Sequence, residues 1–438
     1  MSSEVEKLSA RTIVVGSGPG GATVARGLAK SGEDVLVLER GAYHKRIGTW
    51  PTMFRMMDRM GMLTSEEGTM MVRLLTVGGS TVTYTGVALP PPAWLKERHG
   101  IDLQPYTEKI KEELGIKPLP ERLLGEGALR VQDAARQEGL DWNPLPKLIN
   151  PDLCDLSCPK CMIGCAKGAK WTAREYVEDA TEAGARLRTN MKVEEVLSDA
   201  GRVTGVRGTG PSGLFEAEAE RVVLSAGGLG TAIIMQASGF SDAGRGFFID
   251  PLQLTTAISP WQGSSHDIPM TCGTLDLQEE GIIMTDVIDP WPLYFFGLVM
   301  GGPRNPRYFL RYPHTLSIMT KVRDPLSGSI SADGTVSKPL GDKEQAMLRR
   351  GSQIASSILR RAGCDTSTIQ LAAPRGAHPG GTVRIDEMLD RDLQTSVAGL
   401  YVCDASVLPE PCGWPPVLTI ISFARRLLEE QLVDGKER

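Results

Sequence analysis

A chain of 438 residues, 41% hydrophobic and 23% charged, has apolar material for one large domain or two interleaved ones. Its net charge of -5 argues against nucleic acid or an anionic membrane as the main partner, because both call for a basic face. The start, Met1 to Lys7, is polar and reads as no signal peptide; residues 222–240, the longest apolar stretch, are too broken by Ser225, Gly227, Gly228 and Gly230 to span a membrane. A cytoplasmic protein is therefore expected.

In chain order, residues 11–41 read as strand, glycine turn, helix and second strand. A methionine-rich segment over 53–71 suits core packing better than a greasy substrate channel, and the chain then reaches Gly78-Gly79-Ser80. Pro90-Pro91-Pro92 makes a break before a charged helical stretch to about Leu114, and a further helix is expected over 127–138. Half of the eight cysteines crowd between Cys154 and Cys165. A helix near 173–183, two strands over 186–206 and the apolar run ending in Ala226-Gly227-Gly228 come next. Residues 251–338 alternate apolar and polar with frequent Gly and Pro, as in a twisted sheet that roofs a site. Helical spacing over 343–362, a strand ending at Asp404 and a helix from about Val417 complete the chain.

The segment Thr12-Ile-Val-Val-Gly16-Ser-Gly18-Pro-Gly20-Gly21 sets a GxGxxG pattern between an apolar strand and a helix. Gly16 permits the tight turn, Gly18 lets the backbone approach a pyrophosphate, and Gly21 lets the helix pack close to the strand. The second strand, Val35-Leu-Val-Leu-Glu39, ends in an acid placed for ribose hydroxyls. The combination indicates a dinucleotide and leaves FAD and NAD both open.

With these motifs in order, the chain resembles the glucose–methanol–choline family of flavin oxidoreductases from end to end. The matching residues are Gly16, Gly18, Gly21 and Glu39, the turn Val77-Gly78-Gly79-Ser80, the signature His378-Pro-Gly-Gly381-Thr382-Val-Arg384, and the closing stretches Asp404 to Pro409 and Pro416 to Ile420. The resemblance implies FAD as cofactor. By it, Asp404 would hold the ribityl chain and Val193 would meet the adenine through its backbone, with Gly78, Gly79, Ser80, Ala226, Gly227 and Pro416 as further contacts. On the residues alone, a helix cap or turn residue is the alternative reading of Asp404. Members with covalent flavin carry a histidine just after the Gly-Gly turn; Val82 and Thr83 stand there, so noncovalent FAD is expected.

The fold class that follows is α/β, a Rossmann-like FAD-binding domain with a second, sheet-based substrate domain. FAD-binding segments are expected at 1–88, 151–250 and 375–438, a cap segment at 89–150 and the substrate domain at 251–374. His378 is the expected catalytic residue, handling the hydroxyl proton while hydride goes to flavin N5. The family's second polar group, Asn or His, is missing, since Pro415 falls on its position and offers neither a side-chain donor nor an N–H. His314 and Tyr312 are candidate replacements, and Trp414 either lines the flavin or sits in the core.

Cys154, Cys158, Cys161 and Cys165 fall at spacings that suit four ligands to one metal or a cubane. A [4Fe-4S] cluster, structural zinc and free thiols all remain open, because relatives carry a sequence like that from Cys161 to Lys170 with no metal assigned. The leading function is an FAD-dependent dehydrogenase oxidising a hydroxyl of a small organic substrate. Electrons would leave through the cluster to a redox protein or quinone. The alternatives are a reductase of a carbonyl or activated double bond and a non-enzymatic electron-transfer module.

Overall fold

The computed structural model describes residues 5–433 apart from 62, 157, 159 and 301–306. Strand β1 (Thr12–Val15) turns into helix α1 (Pro19–Lys30) and returns as β2 (Val35–Glu39). Every residue of both strands is buried, as a run of β-branched and leucine side chains must be when helices cover both sheet faces. Helix α2 (Ala173–Glu182) is closed at its start by Thr172 and Glu175, which satisfy each other's backbone donors, and leads to β3 (Arg186–Thr189). Next come β4 (Arg221–Leu224) and α3 (Gly227–Ala237).

The second half supplies β5 (Leu252–Ile258), β6 (Ile282–Asp286), α4 (Trp291–Met300), β7 (Thr315–Val322) and α5 (Asp342–Arg361). The chain closes with β8 (Leu400–Val402) and α6 (Val417–Leu427).

Five of these strands form a parallel sheet in the order β8-β4-β1-β2-β3. Side chains of α1, α2 and α6, among them Ala22, Val177 and Ile421, share one apolar cluster beside it. The strands come from three distant parts of the chain, so the sheet is assembled across the whole sequence. The second large sheet is antiparallel at its centre, β5-β7-β6, with Leu252 opposite Lys321 and Ile283 opposite the same lysine from the other side. Helix α5 backs it, burying Leu348, Ala355 and Ile358 against Leu316, Ile318 and Val322.

Two expectations need correction. The stretch over 186–206 contributes not two strands but three, β3, Lys192–Asp199 and Arg202–Gly210, and the last two form a meander with Gly213–Glu218, because turns at residues 200–201 and 211–212 let each strand fold back on the last. Residues 251–338 are not all sheet, since α4 interrupts them. Its sequence, WPLYFFGLVM, is apolar all round and shows no helical face, while Pro292 in its first turn has the φ a helix start requires.

Candidate active site

The carboxyl ends of β1, β2, β4 and β8 open into one cavity of about 730 Å³ that reaches the underside of the antiparallel sheet. Gly16, at a φ of 97°, turns the chain, and a Cβ there would collide with the Ser225 carbonyl. Gly18 differs, because a Cβ added to it would meet nothing within 4 Å. It caps the start of α1 without any side-chain hydrogen bond, so the backbone donors of that helix end are left for a ligand. Glu39 lines the cavity at the end of β2. In this structure its oxygens accept from Ser17 N (3.0 Å), Ser17 Oγ (2.5 Å) and Gly41 N (2.7 Å), while burial pushes its carboxyl up.

The second glycine turn packs on the first. Gly78 N donates to Ser17 Oγ at 3.2 Å, and a Cβ on Gly79 would stand 3.1 Å from Gly18 Cα. Gly79, Ser80, Val193, Ala226, Gly227, Asp404 and Pro416 all reach the cavity wall. Gly21 and Gly78 stand behind the wall and act by letting elements approach, for a Cβ on Gly21 would strike the Gly16 carbonyl and one on Gly78 the Arg174 side chain. Asp404 is fully engaged: Oδ2 accepts from Gly227 N (2.8 Å) and Thr231 Oγ1 (2.6 Å), and Oδ1 from Ser406 N (2.8 Å) and Ser406 Oγ (2.6 Å). The cap role open to it on its residue type is thus occupied, and it ties β8 to the start of α3. Removing this carboxylate strands four donors, so Asp404→Ala is expected to cost about 1–3 kcal/mol per orphaned group. Denaturant unfolding of Asp404→Ala beside Asp404→Asn checks this, with the amide losing less.

At the far end of the cavity, His378 presents a side chain that is 24% exposed. Its Nδ1 lies 3.2 Å from Asp250 Oδ2 and 3.3 Å from Lys321 Nζ. Burial first, then the Lys321 ammonium, hold this imidazole well below its ordinary value, so the ring is neutral at physiological pH. Pro415 does line the cavity, where it offers no polar group. Neither proposed replacement reaches the wall: Tyr312 donates its hydroxyl to the Asp289 carbonyl at 3.0 Å, and His314 Nδ1 pairs with the Trp261 carbonyl at 2.9 Å. Trp414 is a core residue, 8% exposed, with its indole N–H on the Pro90 carbonyl. Of the methionines, Met53 and Met57 join one apolar cluster and also line the cavity, and Met70 lines it too, so packing and cavity lining coexist.

Four residues escaped notice in the sequence. Gly20 lies against the end of β8, where a Cβ would run into the Cys403 carbonyl. Arg73 places a buried guanidinium on the wall, 3.5 Å from Asp58. Asp250 and Lys321 flank His378. A signal for Lys321 existed, since it is the one charged residue in a strand, TLSIMTKV, whose eight positions are all buried.

Among the described residues no three His, Cys, Asp or Glu side chains are placed to hold a metal ion. Cys161 opens a short 3-10 turn and points into the core beside Trp142 and Ile149. Lys170 clamps the loop from behind, its Nζ on the carbonyls of Val82 (3.1 Å), Tyr84 (2.6 Å) and Cys161 (2.7 Å), and its N–H on Cys165 Sγ (3.4 Å). The thiols remain neighbours: burial, then Cys161, Cys165 and Cys158, push the Cys154 thiol up to about 12. The cysteine segment is thus a lysine-held loop beside the segment that follows the Gly-Gly turn. The cavity, by contrast, fits FAD, with an open glycine at an uncapped helix start, an acid at one end and a neutral imidazole at the other.

A dinucleotide sheet, an uncapped glycine turn and a roofed imidazole define a flavin-dependent oxidoreductase. The model of GMC oxidoreductases matches residues 12–252 with its N-terminal part and 336–424 with its C-terminal part, and this chain belongs to that family. It is 26% identical to a long-chain-alcohol oxidase of Arabidopsis thaliana, covering 98% of this chain and 68% of that one. It is also 26% identical to an uncharacterized protein of Methanocaldococcus jannaschii, over 96% and 99% of the two chains. Among solved structures, pyridoxine 4-oxidase from Mesorbium loti superposes with a TM-score of 0.73 at 15% identity, covering 96% and 99%. Formate oxidase of Aspergillus oryzae does so at 0.73 and 13%, covering 97% and 98%. No helix among the described residues is long and apolar enough to cross a membrane.

Proposed function

We propose that the protein oxidises a hydroxyl group on a substrate with an apolar body, with noncovalent FAD in the glycine-lined part of the cavity. The observation that carries this is the position of His378, a neutral imidazole on the wall of the one cavity that the glycine turns and the apolar side chains of Met270, Val287, Leu293 and Met319 also line. Gly18, the α1 N-terminus and Glu39 are the groups that would hold the dinucleotide end, with Gly79, Ser80 and Asp404 nearer the ring system. Bound FAD supplies the hydride acceptor. His378 Nε2 takes the hydroxyl proton as the carbon gives up its hydride, and the apolar wall excludes water from the reacting carbon. The alcohol oxidases among the relatives support a hydroxyl-bearing substrate.

Electrons then pass to an external acceptor. An iron–sulfur exit is left out of this reading, because no donor set for it converges among the described residues.

An absorption spectrum of the isolated protein followed by anaerobic titration with primary aliphatic alcohols tests the proposal. Bleaching of the flavin bands, tighter with longer chains, is the expected result. Flavin that no alcohol bleaches, but that enones reoxidise after dithionite, would instead favour the reductase. A broad long-wavelength absorption surviving flavin extraction would return the iron–sulfur centre to consideration.

A further inference from the structure

Pro415 leaves the reaction without its expected second polar group, yet the wall opposite is not apolar. Lys321, in β7 of the antiparallel sheet, is 1% exposed and aims its Nζ at the Asp250 carbonyl and at His378 Nδ1, both at 3.3 Å. Asp250 sits at a φ of 47°, a conformation that a non-glycine residue adopts only when its surroundings impose it. Its backbone N–H is held by Asp324 Oδ1 at 2.9 Å, and its Oδ1 accepts the Gly413 N–H at 3.1 Å. That leaves Oδ2 directed at the same Nδ1 that Lys321 approaches.

A ring nitrogen has one role at a time. If Nδ1 donates to Asp250, the lone pair lies on Nε2 and the ring is a base toward the cavity. If Nδ1 accepts from the ammonium, Nε2 carries the hydrogen and can only donate. A fixed positive charge 3.3 Å away also makes a second cation on the ring costly.

We propose that Lys321 is a positioning residue for His378: Asp250 takes the Nδ1 hydrogen, while Lys321 holds the Asp250 carbonyl and sets its positive charge beside the ring, so that Nε2 stays a free base toward the cavity. The other charges nearby cancel in pairs. Lys338 neutralises Asp324 at 2.9 Å, and Arg375 is paired with Asp289 at 2.7 Å. Arg323 acts on Asp250 from outside, and the neighbouring Cys412 thiol is held protonated by burial and by Asp250. Burial and then the Lys321 ammonium therefore set the state of this ring, with Asp250 as the acceptor for its Nδ1 hydrogen. Burial drives the Asp250 carboxyl up and the Lys321 amine down, while each supports the other's charge; the Gly413 N–H, Arg323 and Lys338 support that of Asp250 as well.

The sign of the effect is fixed. The ammonium opposes protonation of His378, so replacing it by a neutral group raises the ring's midpoint, and the acid limb of any activity that needs the free base moves to higher pH. The test is nitrogen NMR on FAD-loaded protein labelled only at its histidines, of which there are five, with His378→Gln assigning the signal. The expected result is a neutral His378 carrying hydrogen on Nδ1, still unprotonated well below the ordinary imidazole range. In Lys321→Met its midpoint should rise by about 1 to 3 pH units, and Lys321→Arg should keep it low. An unmoved midpoint in a Lys321→Met variant of normal FAD content overturns the proposal, as does an arginine variant shifted as far as the methionine one. Should the methionine variant not fold, ordinary titration of His378 in the unaltered protein overturns it too. These readings are independent of turnover, so failure of hydroxyl oxidation would leave the inference standing.

Discussion

Replacing His378 with glutamine is expected to lower kcat by about 10²- to 10⁴-fold, the usual contribution of a positioned acid–base group, while FAD content stays that of the parent. The backbone around it explains the second half of this expectation. The His378 N–H is bound to the Ile249 carbonyl at 3.1 Å, and the adjacent Phe248–Gly380 bridge fixes the loop without help from the ring. Glutamine keeps a polar group against Asp250 and Lys321, so neither buried charge is abandoned. Steady-state rates on an alcohol identified by anaerobic titration check the result. A loss under tenfold would mean that the hydroxyl proton leaves by another route.

The second large effect concerns two glycines of one motif that do opposite work. Gly20 is closed in by backbone: a Cβ there collides with the Cys403 carbonyl and comes within 3.3 Å of Ile420 Cγ2. Carbonyl oxygens at a strand end cannot swing aside as a long side chain can. Gly20→Val is therefore expected to separate α1 from β8, costing about 3 kcal/mol or more, and to leave chain that neither holds FAD nor unfolds cooperatively. Gly18→Ala tests the complementary point, since the space around that position is open and its φ of -66° suits any residue. Its melting temperature without cofactor should match the parent, and only FAD retention should fall. Equal loss of stability in both variants would refute the distinction.

Residues 12–39 were readable because burial on both faces leaves a continuous apolar run, and because a GxGxxG turn between strand and helix has few other physical uses. His378 was readable from a local signature. Its partners were not, since Lys321 and Asp250 lie 57 and 128 positions away and meet it only through the crossing of β5 and β7. At the cysteines sequence proximity was less informative. Four thiols within one loop look like a ligand set, whereas Cys154, Cys161 and Cys165 share one apolar cluster and Lys170 holds the Cys161 carbonyl. Helix α4 was missed because an apolar run without periodicity reads the same for strand and helix.

The order of strands in the parallel sheet has a bearing on how the enzyme is made. Strand β8 lies at the edge beside β4, some 180 positions earlier in the chain, and α6 packs on α1 from the first thirty residues. The nucleotide-binding half therefore cannot close before residues 400–427 have been synthesised. Until then β4 offers an unpaired edge, a template for mispairing with another chain. Long-range pairing of this kind folds slowly, and cofactor loading becomes a step after synthesis. Supply of FAD during expression would then govern how much of the chain reaches its native state, since whatever binds only the folded form draws the equilibrium toward it.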